Sequence, residues 1–258
     1  MVMPEKQGTP DPHGDGVLLI RGADAVKFLQ GQLSNDVERL AAGTSMLAGY
    51  HTPQGRVIAV LRLQRRADDV VAELPRGLVP VVAARLSKFI LRSKVTITDA
   101  TAEWSARGLL AEPSPEATLR SIEAGLPQVY PATSEAFVAQ MLNLDLTGGI
   151  AFDKGCYTGQ EIIARAHYRG RVKRRMQRFV TREPATLAPG DQGTLPDGRS
   201  FRVVEAALRA DGRCEFLAVA PLGAGADADA VVDDTPAAGH PPLAVEQLPL
   251  PYALPVEH

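Results

Sequence analysis

The apolar run Val17–Ile20 ends at Gly22 and predicts a short buried strand. Val26, Leu29, Leu33, Val37 and Leu40 then recur at three- and four-residue steps, which predicts one amphipathic helix up to a stop at Gly43. Thr44–Tyr50 and Arg56–Leu63 read as two strands joined by the turn His51-Thr52-Pro53-Gln54-Gly55. Both faces of the second are mostly apolar, as in a strand covered on both sides. Val70–Glu73 continues the strands, and Pro80 opens a helix with Val82, Leu86 and Phe89 on its stripe. Val95–Thr98 alternates and is β-branched, which predicts another strand. Trp104–Leu110 reads as a strand, Pro113–Leu126 as holding a short helix, and Ser134–Leu144 as a helix. After residue 175 the pattern shortens to strand candidates at Met176–Val180, Phe201–Leu208 and Cys214–Ala220. Turn signals at Pro196-Asp197-Gly198 and Asp211-Gly212 separate them and suggest a small closed or nearly closed sheet.

Composition narrows this to a globular chain of 258 residues with 45% hydrophobic and 22% charged positions. Residues 1–16 are polar and rich in Pro and Gly, so we expect a loose tail and no secretory signal. No apolar run reaches the ~18 residues of a membrane span. Two cysteines with no export signal point to reduced thiols in a cytoplasm. The five histidines have no zinc spacing, so no protein-built metal site is expected. The net charge of −2 hides an asymmetry. Eight Arg or Lys and no acid lie between Arg165 and Arg182. Such a run is either a solvated face or a site for phosphate, polyglutamate or RNA backbone. The Ala-, Gly-, Asp- and Pro-rich stretch 221–242 is expected as an exposed loop.

The chemistry concentrates in Phe152–Arg175, FDKGCYTGQEIIARAHYRGRVKRR. Thr158 and Glu161 have the spacing of a capping box, which puts Cys156 just ahead of a helix N-terminus. The partial positive charge of that terminus and the neighbouring Lys154 both favour a thiolate. The alternative for a single cysteine is a small buried hydrophobe.

Lys154-Gly155-Cys156-Tyr157-Thr158-Gly159-Gln160-Glu161 resembles the K-G-C-Y-x-G-Q-E signature of the YgfZ-type folate-binding proteins, relatives of the glycine-cleavage T protein. Further segments match in order. They are FLQGQLSNDV (28–37), the turn before Arg56, Glu123-Ala124-Gly125 and Leu248-Pro249-Leu250-Pro251-Tyr252. The resemblance implies an α+β, T-protein-like folate-binding region at 17–172 and a β-barrel-like domain at 173–258. It implies tetrahydrofolate or a related folate as cofactor, with Cys156 and Lys154 as the reactive pair. Gln32, Asn35, Asp36, Glu123, Tyr157, Gln160 and Arg165 would line the folate site. Glu123 would contact the pterin, where a carboxylate can accept two N–H bonds. Read without the resemblance, Gln32 and Asn35 are equally well solvent-facing helix positions and Glu123 an exposed helical glutamate.

The implied role is an accessory factor for iron–sulfur enzymes, such as those that thiomethylate tRNA. Two departures matter. Ala59 and Val60 stand where the T protein has an Asp-Asp pair, which argues against a conventional aminomethyltransferase. The segment between the strand near Thr98 and Glu123 is short, so the middle subdomain is reduced. Some relatives also stack tryptophans on folate at the positions of Asp15 and Ala117. The competing readings are a tetrahydrofolate-dependent one-carbon transferase, and an RNA- or protein-binding module using 165–182.

Overall fold

The computed structural model of the chain describes residues 14–67, 69–111, 113–168, 172–223 and 242–255. Their architecture is α+β, with two five-stranded antiparallel sheets. The first sheet comprises β1 (Asp15–Arg21), β2 (Ser45–His51), β3 (Val57–Arg66), β4 (Asp69–Pro75) and β5 (Thr96–Asp99), in the order β2-β3-β4-β1-β5. The second comprises β6 (Arg174–Pro184), β7 (Gln192–Thr194), β8 (Ser200–Leu208), β9 (Arg213–Pro221) and β10 (Val245–Leu248), in the order β10-β6-β9-β8-β7. The helices are α1 (Ala25–Gln30), α2 (Val79–Ser87), α3 (Thr101–Ala106), α4 (Pro115–Glu123) and α5 (Gln160–Tyr168).

Both faces of the first sheet are covered, as the two-sided apolar pattern of β3 requires. Val17, Leu19 and Val71 meet Ala100 and Trp104 on one side. Leu18, Ile20, Val70 and Ala72 face the main core on the other. The same cluster takes in Ile58 and Val60, which lie with Arg62 on the Val17 face, and Met176, Val204, Leu217 and Val219 of the second sheet. A separate cluster of Phe179, Phe201, Phe216 and Cys214 fills the second sheet's other side, which puts Cys214 in the core as its strand context suggests. The second sheet is not a closed barrel. Its edge strands β7 and β10 form no ladder among the described residues; Leu243, two residues ahead of β10, donates its N–H to Thr194 O of β7 at 2.9 Å.

Several elements depart from the hydrophobic pattern because side chains compete for the backbone. The helix expected through Leu40 ends at Gln30. Beyond it, Gln30 Oε1 accepts from Val37 N–H at 2.8 Å, and Asn35 Oδ1 from Asp36 N–H at 2.9 Å. Leu33, Val37 and Leu40 are buried all the same, on a folded loop with a single 3-10 turn. Trp104 lies in helix α3, not a strand; just ahead of the helix, Asp99 Oδ1 accepts from Thr101 N–H at 2.9 Å. Of the helix expected at 134–144 only the 3-10 turn Ala139–Leu142 forms. Glu135 N–H and Phe137 O instead bond Val57 at 2.8 Å each, and Glu135 and Asn143 take left-handed φ of 64° and 56°. Strand β1 starts at Asp15, inside the expected tail. Residues 1–13 and 224–241 lie outside the described residues, and with them most of the expected tail and exposed loop.

Helix α4 matches its expectation and has an N-cap, Ser114, whose Oγ accepts from Ala117 N–H at 3.1 Å. Ser114→Ala is expected to cost about 1 kcal/mol, a drop in melting temperature of a few degrees. An unchanged melting curve would show that this cap contributes nothing.

Candidate functional site

The cysteine loop and the 30–36 loop are fastened to each other. Lys154 Nζ donates to the carbonyls of Gln30, Leu33 and Asn35 at 2.7, 2.7 and 2.8 Å. An ammonium has three N–H donors, so all are used. Asn35 Nδ2 donates to Leu47 O and Gly148 O at 2.6 and 2.7 Å. Ser34 Oγ donates to Gly149 O and accepts from Gly49 N–H, and Ala151 N–H reaches Ser34 O at 3.0 Å. Outside this seam, Arg39 bridges Asp36 at 3.0 Å and Asp153 at 2.9 Å. Burial pulls Lys154 down to about 8, opposed by Asp36 and Glu38, so it stays cationic at neutral pH.

Cys156 sits on this fastened loop and is exposed. The helix after it begins at Gln160, so Thr158 is not its N-cap and the expected capping box does not form. Gly159 holds that position at φ +83°, where an added Cβ would stand 2.6 Å from Thr52 O and 3.2 Å from His51 Cβ. Only glycine lets the loop close on the β2–β3 turn there.

The sequence-derived site residues do not all meet: Asn35, Asp36, Lys154 and Tyr157 lie together, and Glu123 lies against Arg178. Asn35, Asp36 and Lys154 belong to the seam described above. Tyr157 is buried, with its ring 5.1 Å from the Lys154 ammonium and its hydroxyl pushed up to about 12 by burial. Gln160 opens α5 half-buried, and Arg165 is exposed one turn on. Glu123 ends α4 with its side chain 57% exposed and faces Arg178 at 3.8 Å.

A cavity of about 190 Å³ opens elsewhere, between the two sheets. Its lining takes in Asp15, Arg62, Glu73, Tyr130 and Glu205, with Leu47 and Val60 among its apolar walls. Arg62 stands opposite Glu73 in the β3–β4 register, and Glu73 opposite Val17 in β1–β4. Asp15, two residues before Val17, therefore shares their face. Glu205 reaches in from β8. No residue of 148–168 lines this cavity, and neither does Glu123. Cys156 therefore lies outside the lining of this cavity. The positions matched to the stacking tryptophans of some relatives, Asp15 and Ala117, do line it, as does Val60.

The three carboxyls are held toward their protonated forms. Burial pushes Glu205 up to about 7, against a 2.5 Å bond from Tyr130 O–H and one from Ala206 N–H. Desolvation raises Glu73, with Asp15 adding to it and Arg62 and Arg66 opposing. Desolvation also raises Asp15, although much of that residue stays exposed, and Arg62 and Arg76 oppose it.

No protein-family model matches the chain. It is 32% identical over 191 residues to an uncharacterized protein of Haemophilus influenzae, covering 61% of this chain and 68% of that one. To the tRNA-modifying protein YgfZ of an Enterobacter species it is 30% identical over 258 residues, covering 75% of this chain and 79% of the relative. The chain belongs to the YgfZ family. The Serratia proteamaculans YgfZ is 27% identical, with 92% of this chain and 90% of that protein covered. The crystal structure of the glycine cleavage system aminomethyltransferase T from Bartonella henselae superposes with a TM-score of 0.59 over 82% of this chain and 77% of that one, at 14% identity. What this chain shares with that structure is the fold.

Sequence reasoning missed His51. In this YgfZ-family chain it is 1% exposed, and among the described residues neither ring nitrogen meets a partner. Burial holds its pKa down to about 3, so the ring is neutral. Through the Leu33–Tyr50 bridge it lies across from Gln32, whose Oε1 is likewise buried without a partner. Read in sequence, His51 was one letter of a turn, and no spacing marked it. The basic run also changes character. Arg174 and Arg175 are buried, Arg175 holds Asp145 through two bonds of 3.0 and 2.9 Å, and Arg178 holds Glu215 at 2.6 Å. Residues 169–171 lie outside the described residues.

Proposed function

We propose that this chain is a folate-binding accessory protein for tRNA modification, serving enzymes that depend on iron–sulfur clusters and acting through Cys156. One observation carries the reading. The thiol is exposed on a loop that Lys154, Asn35 and Ser34 lock to the 30–36 loop, so the two segments that resemble the family meet in space. Membership of a family whose relatives are named as tRNA-modifying supports the client.

The cavity residues fit a folate head group. Carboxylates accept from ring N–H and amino donors, and Leu47 and Val60 offer apolar wall. A bound reduced folate would supply a one-carbon carrier. In this reading the stretches 17–172 and 173–258 are two walls of one cavity, since the first contributes Arg62 and Glu73 and the second Glu205, with Asp15 just ahead of the first. The loop of Cys156 lies apart from the cavity lining, which favours a thiol that meets a partner protein over one that reacts with the folate. Among the described residues no helix is long and apolar enough to cross a membrane.

The aminomethyltransferase reading is weaker. Ala59 and Val60 are buried apolar side chains where the transferase needs an acid. The RNA-binding reading loses Arg174, Arg175 and Arg178 to internal bonds; among the described residues of the run, Arg165 and Arg182 are exposed and Lys173 is half-buried, while Arg169 and Arg171 lie outside them.

Cys156→Ala tests the proposal in a strain that lacks this protein. The variant is expected to keep the parent melting temperature and folate affinity, yet fail to restore thiomethylated tRNA. Full restoration of the modified nucleoside would remove Cys156 from the function.

A further inference from the structure

We infer that the turn between α2 and β5 docks on an anionic lipid bilayer, with Phe89 and Leu91 entering the interface and Lys88, Arg92 and Lys94 meeting lipid phosphates. None of these residues lines the cavity or belongs to the Lys154 seam, so the surface stands apart from the folate reading.

The first ground is exposure. Leu91 is 86% and Phe89 49% exposed, on either side of Ile90, which packs against the main core. A lone exposed apolar side chain is ordinary, but two large ones within three residues form a patch.

The second ground is charge. From Arg76 to Thr98 the chain carries five Arg or Lys and no acid. Glu135 takes Arg85, whereas Lys88, Arg92 and Lys94 are exposed and make no ion pair among the described residues. Asp24 stands beside Lys94, which leaves the patch net positive. The chain's overall charge of −2 does not cancel it, since at physiological salt a surface charge acts over about 8 Å.

The third ground is that the turn is fixed at both ends. Phe89 N–H donates to Leu86 O at 3.0 Å and Ile90 N–H to Ser87 O at 3.2 Å. Lys94 N–H donates to Asp24 Oδ2 at 2.7 Å, and a Cβ added at Gly22 would stand 2.0 Å from Lys94 O. The apolar tip is therefore presented by the fold, and is not a frayed end.

Shape decides among partners. A side chain as exposed as Leu91 stands on a convex tip. A fluid lipid interface takes in such a tip without the preformed socket that a protein must supply. RNA offers phosphates to the cations but no aliphatic surface to Leu91. Cations beside the tip add attraction to anionic headgroups, which fades within a Debye length. Two apolar side chains and three cations give reversible surface binding, not a permanent anchor.

The intact protein is sedimented with vesicles of phosphatidylcholine alone, and of equal parts phosphatidylcholine and phosphatidylglycerol, at low and high salt. It is expected to bind the mixed vesicles, to leave the neutral ones in suspension alone, and to be released by salt. Leu91→Ser is expected to weaken binding roughly tenfold, and Phe89→Ser, Lys88→Gln and Arg92→Gln about fivefold each. All four positions are exposed, so the melting curves are expected to match the parent's. Binding to mixed vesicles that all four variants retain overturns the inference. So does equal binding to neutral vesicles, or none to either. A loss confined to Lys88→Gln and Arg92→Gln overturns insertion of the tip. Binding of tRNA through these cations, with no vesicle bound, assigns the turn to RNA and overturns the lipid surface. A dimer that Leu91→Ser abolishes, again with no vesicle bound, assigns it to a second copy of the chain.

Discussion

Replacing Lys154 by methionine is expected to lower stability by about 3 kcal/mol and to loosen the cysteine loop. The aliphatic stem survives this change, so what is lost is the ammonium. Three carbonyls, of Gln30, Leu33 and Asn35, then lose a charged donor at 2.7–2.8 Å. Hydrogen bonds to charged groups contribute about 1.5–3 kcal/mol each, but three on one atom are not additive, and removing the ammonium also relieves its desolvation. The net figure is therefore set near the value of one strong bond and not the sum of three. The change should appear as a lower urea midpoint at unchanged slope. Amide exchange should accelerate in 30–36 and 148–157 and stay unaltered in β8 and β9, which the seam does not touch. Lysine to arginine should not rescue it, since a planar fork cannot aim three donors at three carbonyls around one point. An unchanged midpoint for the methionine variant would mean that Asn35 and Ser34 hold the seam alone. The same change should impair restoration of tRNA modification, through the position of Cys156 and not through its reactivity.

Much of the fold was legible because it rests on period. The apolar runs of β1, β3 and β4 and the Asp211-Gly212 turn act over a few residues, and the structure keeps them. Gly212 takes φ +80° between Leu208 and Cys214, as a glycine at that turn should. The failures fall where polar side chains take over backbone bonding. Gln30, Ser34 and Asn35 carry the loop that periodicity read as helix, and Gly149 and Gly148, the partners of Ser34 and Asn35, lie more than a hundred residues away. No local rule sees such a pairing. The site was legible by motif and not by place. The resemblance found Cys156 and Lys154, but it could not tell that Lys154 fastens a loop or that Cys156 lies off the cavity. Glu205 had no signal at all, since a glutamate in a strand reads as a solvent-facing position. Its burial is set by β8 packing under Tyr130.

Glu205→Gln is expected to raise the stability of the ligand-free protein at pH 8 by about 3 kcal/mol, on the order of 10 °C in melting temperature. The native carboxyl keeps its proton to about pH 7, while an unfolded glutamate releases it near pH 4.5. Across that window the native state binds more protons, so stability falls as pH rises, by about 1.36 kcal/mol per pH unit. His51 acts with the opposite sign. Unfolded, it binds a proton below about pH 6.5, but the buried ring stays neutral down to about 3, so stability climbs as pH rises from 3 to 6.5. Between pH 4.5 and 6.5 the two slopes oppose and should nearly cancel, which gives the parent protein a flat stability profile there. In Glu205→Gln the His51 climb is uncovered and runs on to pH 6.5. Asp15 and Glu73, raised in the same direction as Glu205, keep a shallower fall in both proteins. Urea titrations at pH 5, 6.5 and 8 resolve these slopes. A variant equal to or weaker than the parent at pH 8 would mean that the native protein already compensates the Glu205 charge. A stabilised variant that no longer binds folate would mean that the cavity keeps this buried acid for its ligand, at the expense of its own fold.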